Sequence, residues 1–250
     1  DGIMFVKMES DQIDHSGEIF VRQLIGLTDY KKTTPLRFWK LLRQQVQKFG
    51  SKKIVFINST ARGGGVALMR HALISLYQKL GLNAHWLVME GNDQVFEITK
   101  QKMHNTLQAP PGTTPQPLTE EDKKVLEQFW MDNFDSMHDV VKNADVIVID
   151  DYQPSGLIPL IKGINKNVKI IYRSHIQIKS HLIKEEGSPQ QRNWNYIWDK
   201  IKDHVDIFVS HPIKEFVPPN VPSSMVVYMP PASDPLDGLN KPLNEQQQKY

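Results

Sequence analysis

Between Lys53 and Met229 the chain alternates short apolar runs with longer segments of helical spacing, and this alternation restricts the fold more than any other feature. The runs are Lys53–Asn58, Ala84–Met89, Asp145–Asp150, Val168–Tyr172, Asp206–Ser210 and Met225–Met229. They are apolar at successive positions, not at alternate ones. Such strands are buried on both faces, which is the condition of a parallel sheet between helical layers. Parallel neighbours need a crossover, and a helix supplies it with right-handed sense. The predicted fold class is therefore α/β, a single doubly wound parallel sheet.

The intervening segments carry helix punctuation. Val66, Met69, Leu73, Leu76, Tyr77 and Leu80 share one helical face, and Gly81 follows as a C-terminal cap. Pro35 opens a helix to about Phe49, with Phe38, Leu41, Leu42, Val46 and Phe49 on one face and Gly50 as its stop. Phe96–Leu107 reads as helical around His104-Asn105, and Ala109–Pro117, with four prolines, as a loop. Thr119 and Asp122 form a capping pair for a helix to Val141. Gln153–Gly156 is a turn before a short helix, and Ser188-Pro189 opens another that carries Trp194, Ile197, Trp198 and Ile201. Residues 1–34 are less patterned: Ile3–Met8 is a candidate strand, and Glu18–Leu24 a second short element. Asn244–Tyr250 is a polar tail expected to fray.

In open parallel sheets, ligands bind beyond the carboxyl ends of the strands. Those ends carry Ser59–Gly65, Glu90-Gly91, Asp150–Pro154, Arg173–His175, Ser210–Pro212 and Pro230–Asp234. Gly63, Gly64 and Gly65 let the backbone approach a ligand closely, and their place before a helix suits a phosphate or a sugar oxygen; a flexible turn is the plainer reading. The spacing is neither GxGxxG nor GxxxxGK[ST], which disfavours a dinucleotide or P-loop site. Arg173 can grip phosphate, and His175 can hydrogen-bond a hydroxyl or carry a proton. Asp150-Asp151 could hold hydroxyls or a metal, or serve in part as a cap, and the pair lacks Asp-x-Asp spacing. His104, Asn105 and Gln108 read from the residues alone as capping or core-edge groups, Trp194 and Trp198 as core, and His211-Pro212 as a turn.

Composition removes several classes. The chain has no cysteine, so disulfides, thiolate nucleophiles and cysteine zinc sites are excluded. A formal charge of +2 gives no field pointing to nucleic acid or to an acidic membrane. No run of about 18 apolar residues is present to span a bilayer. The first ten residues lack a signal-peptide pattern, and Asp1 in place of Met suggests trimming. A cytoplasmic location is expected. Asn58-Ser59-Thr60 matches a glycosylation sequon, but its position at a strand end argues against modification.

Six ordered segments carry a family resemblance: Phe56–Leu73 (FINSTARGGGVALMRHAL), Phe96–Gln108, Asp150–Pro154, Tyr172–Ile176, Phe208–Pro212 and Met229–Leu236. Together they resemble the trehalose phosphorylase and trehalose synthase group of retaining family 4 glycosyltransferases, which have the GT-B fold of two Rossmann-like domains. Arg173–Gln177 and Asp234–Asn240 look like the fungal phosphorylase branch, whereas the archaeal synthase branch tends to carry Asp where Gln177 stands. The resemblance implies the Rossmann-like N-terminal domain of such an enzyme, over residues 35–242. Residues 1–34 would be an extension packed on it and 243–250 a tail or the start of a linker.

The implied reaction interconverts trehalose and phosphate with glucose and α-glucose 1-phosphate, without a metal or an organic cofactor. His175 would contact the transferred glucose near the reacting centre. Gly63–Gly65 would border sugar and phosphate, and Asp151, Gln153, Arg173, His104 and Asn105 would line the substrate site. The second domain, with its basic residues for the donor phosphate, is not found in the chain, so the isolated chain is expected to be inactive. A nucleotide-sugar-dependent synthase and a non-catalytic sugar-binding module are the alternatives. No nucleic-acid or membrane partner is expected, and a homodimer is compatible with the resemblance.

Overall fold

The computed structural model describes residues 13–21 and 25–236. Six parallel strands form one sheet in the order β2-β1-β3-β4-β5-β6. They are β1 (Lys53–Asn58), β2 (Asn83–Val88), β3 (Val146–Asp150), β4 (Lys169–Arg173), β5 (Ile207–Ser210) and β6 (Val226–Tyr228). All six runs predicted as strands are strands. The order reverses between β1 and β3, so a crevice opens at the carboxyl ends of those two strands.

Helices fall on both faces. The larger core lies against α6 (Glu120–Val141), α7 (Leu157–Ile164) and α9 (Pro189–Ile201), the last preceded by the short α8 (Ser180–Ile183). Val55, Ile57, Ile147, Ile149, Ile170 and Phe208 face it from the sheet. Trp194 and Trp198 stack there with centroids 5.7 Å apart, both buried, as core residues and not as a sugar platform. Thr119 caps α6 with the reciprocal Asp122 contact, and Ser188 caps α9. The other face is covered by α3 (Gly64–Lys79), which seals a smaller core around Phe56, Ile74 and Trp86. Beyond α3 this face keeps an apolar groove of about 620 Å³ over Ile54, Val148, Ile171 and Val209.

The N-terminal segment meets the β2 edge. Ile19 donates to the Trp86 carbonyl and Val88 to that of Gly17, in antiparallel sense. This matches part of the element expected at Glu18–Leu24; Arg22, Gln23 and Leu24 lie outside the described residues, as do Ile3–Met8 and Asn244–Tyr250. The helix α1 (Leu27–Thr33) was not anticipated; its Tyr30 hydroxyl donates to Asp234 at 2.6 Å. The helix α2 (Leu36–Phe49) has the expected bounds and amphipathic pattern, yet none of its residues is buried. Phe38 and Leu41 are each 49% exposed, because spacing determines which side chains share a face but not whether another element covers it. Asn58 is buried, bonded to the Trp86 indole and the Thr60 carbonyl, which closes the sequon to modification. Among the described residues no helix is long and apolar enough to cross a membrane.

Candidate functional site

The carboxyl ends of β1, β3 and β4 meet α3 at one end of the sheet. Gly63 precedes the helix at φ 74° and ψ 145°, a conformation almost confined to glycine, and Gly64 follows at φ 73°. A Cβ at Gly63, Gly64 or Gly65 would have no atom within 4 Å, so these glycines leave open space in front of the helix terminus. They are exposed, with the positive end of the α3 dipole behind them.

Six residues further along α3, about 9 Å by helical rise, Arg70 turns into the sheet. Its Nε and Nη2 grip both oxygens of Asp150 at 2.7 and 2.5 Å, and both side chains are 1% exposed. The guanidinium also lies 4.5 Å above the Phe56 ring. Burial pushes the Asp150 carboxyl up, but the Arg70 charge and the His175 hydrogen bond outweigh it and hold its pKa below the ordinary value. His175, just past β4, brings Nε2 to 2.7 Å from Asp150 Oδ1. Its backbone N–H donates to Asp151 Oδ1 at 2.6 Å, and its carbonyl lies 2.9 Å from His211 Nε2. The predicted turn at His211 thus also braces the His175 backbone.

Asp151 stands at φ 64°, the left-handed region that Asp and Asn enter more readily than most residues. Its carboxyl is buried, and burial raises its pKa against the opposing pull of His175. Arg173 lies on the groove face beside Arg70. Burial, followed by the Arg70 charge, lowers its pKa. Its side chain makes one hydrogen bond among the described residues, a long one of 3.5 Å to the Pro230 carbonyl, while its backbone carbonyl accepts from the Asp151 amide at 2.8 Å.

The remaining candidates are placed less directly. His104 closes a π-helical stretch, Ile98–His104, set between α4 (Asp93–Glu97) and α5 (Asn105–Gln108). Such insertions recur at functional sites. Its ring lies 6.4 Å from that of Tyr152, the residue after Asp151, and burial lowers its pKa. The Asn105 side-chain amide donates to Gln101 at 2.8 Å. Gln153 is half-buried, and its carbonyl accepts from the Trp130 indole at 2.6 Å.

The structure therefore brings Asp151 and His175 together, sets Arg173 beside them, and puts the glycine loop at the same end and on the same face. His104 adjoins through Tyr152, whereas the Asn105 side chain is bonded to Gln101. The sequence reading missed Arg70 and gave Asp150 no specific role. Both are charged residues in apolar surroundings, Arg70 on the buried face of a helix and Asp150 ending a buried strand. A charge so placed is rare without a partner, and that was the available signal.

Comparison with known proteins identifies the family. Residues 56–218 match the family model described as "Trehalose synthase, N-terminal domain". The chain is 38% identical over 255 residues to a trehalose phosphorylase of Grifola frondosa, covering 95% of this chain and 33% of the relative. A trehalose phosphorylase of Pleurotus pulmonarius is 39% identical over 241 residues, covering 93% and 32%. A trehalose synthase of Thermococcus litoralis is 31% identical over 219 residues, covering 88% and 48%. The chain thus spans about a third of the fungal relatives and about half of the archaeal one. With its six-stranded parallel sheet and a family match running from β1 past β5, the chain belongs to the trehalose synthase N-terminal domain family.

Proposed function

We propose that the chain is the N-terminal, sugar-binding domain of a retaining trehalose phosphorylase, a glycosyltransferase that interconverts trehalose and phosphate with glucose and α-glucose 1-phosphate. The observation that carries this reading is the Asp151–His175 pair at the ends of β3 and β4, beside an open glycine helix terminus. A sugar offers hydroxyls that both donate and accept. The site answers with a carboxyl, an imidazole and bare backbone amides. Phosphate needs cationic partners, and Arg173 offers a guanidinium that no salt bridge engages among the described residues, with Asp150 and Asp151 acting on it only through space.

In this reading His175 contacts the transferred glucose, Asp151, Gln153 and Arg173 line its pocket, and Gly63–Gly65 border sugar and phosphate. His104 and Asn105 add polar groups from the π-helical stretch. Residues 35–242 form the domain, 1–34 an extension on it and 243–250 the approach to a linker. The second GT-B domain supplies the rest of the phosphate site, so the chain alone is inactive. A cytoplasmic setting, a homodimer and the absence of a cofactor belong to the same proposal. Higher identity to the fungal phosphorylases than to the archaeal synthase favours phosphate over a nucleotide sugar as the second substrate.

The test uses the full-length parent protein with trehalose and phosphate, following release of glucose 1-phosphate. Turnover with phosphate, and none with UDP- or ADP-glucose plus glucose, is expected. The reverse pattern would assign the synthase reaction instead. Failure of trehalose, glucose and glucose 1-phosphate to bind or react would reject the sugar reading altogether.

A further inference from the structure

Asp150 accepts three N–H groups: Nε and Nη2 of Arg70, and Nε2 of His175. An ionised carboxylate can only accept, so the imidazole must carry its proton on Nε2. The other ring nitrogen, Nδ1, has no partner among the described residues. The sole buried side-chain polar atom without a partner there is Ser210 Oγ, so Nδ1 retains access to the surface. The ring is otherwise enclosed, with 7% of the His175 side chain exposed. Its backbone is tied on both sides, by Asp151 at the amide and by His211 at the carbonyl.

A buried ion pair at 1% exposure on both sides is a poor stability device, because desolvation offsets most of its attraction. It is well suited to holding a third group in one orientation.

We propose that Asp150, clamped by Arg70, is a positioning residue for His175. It fixes the Nε2–H form and one ring orientation, so that Nδ1 meets a sugar hydroxyl as a hydrogen-bond acceptor. The role of the sugar rests on the function proposed above; the orientation of the ring does not. The charged and titratable groups around the imidazole are Arg70 on α3, Asp150 and Asp151 at the end of β3, Arg173 on β4, and His211 after β5.

The test is an imidazole ¹⁵N–¹H spectrum of the chain at neutral pH, with Asp150→Asn and His175→Ala for assignment and comparison. The native chain is expected to show a downfield ring proton on His175 Nε2, protected from solvent exchange, with Nδ1 unprotonated. Asp150→Asn is expected to lose that protection. Where this variant fails to fold, Arg70→Met combined with Asp150→Leu removes both charges together and is expected to lose it too. Glucose or trehalose is expected to shift Nδ1. In the full-length enzyme Asp150→Asn is expected to lower kcat/KM roughly 10- to 100-fold, the span of one hydrogen bond to a charged group. That loss should be absent in a His175→Ala background, since a merely structural role would give additive losses. A native spectrum with the proton on Nδ1, or with no protected Nε2–H, would overturn the positioning role whatever the sugar does. Sugar-induced shifts at other residues with none at His175 Nδ1 would overturn the acceptor role and leave the sugar-binding reading standing.

Discussion

Replacing Arg70 with Met keeps a long side chain against Phe56 but withdraws the charge from a carboxylate that is 2% exposed. Breaking a buried ion pair from one side costs about 3–5 kcal/mol, because the remaining charge is left without compensation. The cation–π contact adds roughly 0.5–1 kcal/mol. A total of about 5 kcal/mol corresponds to a fall of about 10–20 °C in melting temperature for a domain of this size. The loss depends on pH with a defined sign. Asp150 has a depressed folded pKa in the native chain, so its stabilisation is complete above the unfolded value, about 4, and fades as pH falls through the folded one. In Arg70→Met burial acts unopposed by the guanidinium, and protonation relieves the penalty. The gap between the two proteins is therefore widest near pH 7, begins to narrow as pH falls through the variant's raised value, and continues to narrow below about pH 4. Urea unfolding of both chains from pH 3.5 to 8 measures it. The double variant Arg70→Met with Asp150→Leu is expected to recover most of the stability, since no buried charge remains. A single variant within 1 kcal/mol of native at pH 7, or a double variant no better than the single, would refute the account.

Other consequences follow from particular positions. Asp151 has a raised folded pKa, so it costs stability as pH rises past the unfolded value, about 4, and in full above the folded one. Asp151→Asn keeps the left-handed backbone and an oxygen for the His175 amide. It is expected to gain up to about 2 kcal/mol near neutral pH, with no gain below about pH 4, while weakening sugar affinity; urea midpoints across pH and calorimetry with glucose measure the two effects. Gly63→Ala is expected to cost about 1–3 kcal/mol through its backbone conformation alone, since the space around it is open. Gly65→Ala, which lacks the positive φ, is expected to be stabilised by about 0.4–1 kcal/mol yet to bind sugar or phosphate less well, and unchanged calorimetry would mark the loop as a plain turn. Gly156→Ala would drive Cβ into the Trp130 ring; overpacking of this kind costs about 1–3 kcal/mol, visible as a lowered urea midpoint.

The sequence by itself determined the strands and most of the helices, and it singled out the carboxyl end of the sheet as the candidate site. These follow from local rules: a run apolar at successive positions can be satisfied only with both faces buried, and caps such as Thr119 and Ser188 act within one turn. It also supplied His175, Asp151 and the glycine loop, because each sits directly after a legible strand. The tertiary structure alone decided which of these meet. Arg70 and Asp150 are 80 residues apart, and only the adjacency of α3 and β3 across the sheet order makes them a pair. It likewise left the amphipathic α2 without a buried residue, and it placed a π-helical stretch before Asn105 where the pattern showed only a helix. Pairing, coverage and register depend on what packs against an element, and that information is distributed over distant parts of the chain.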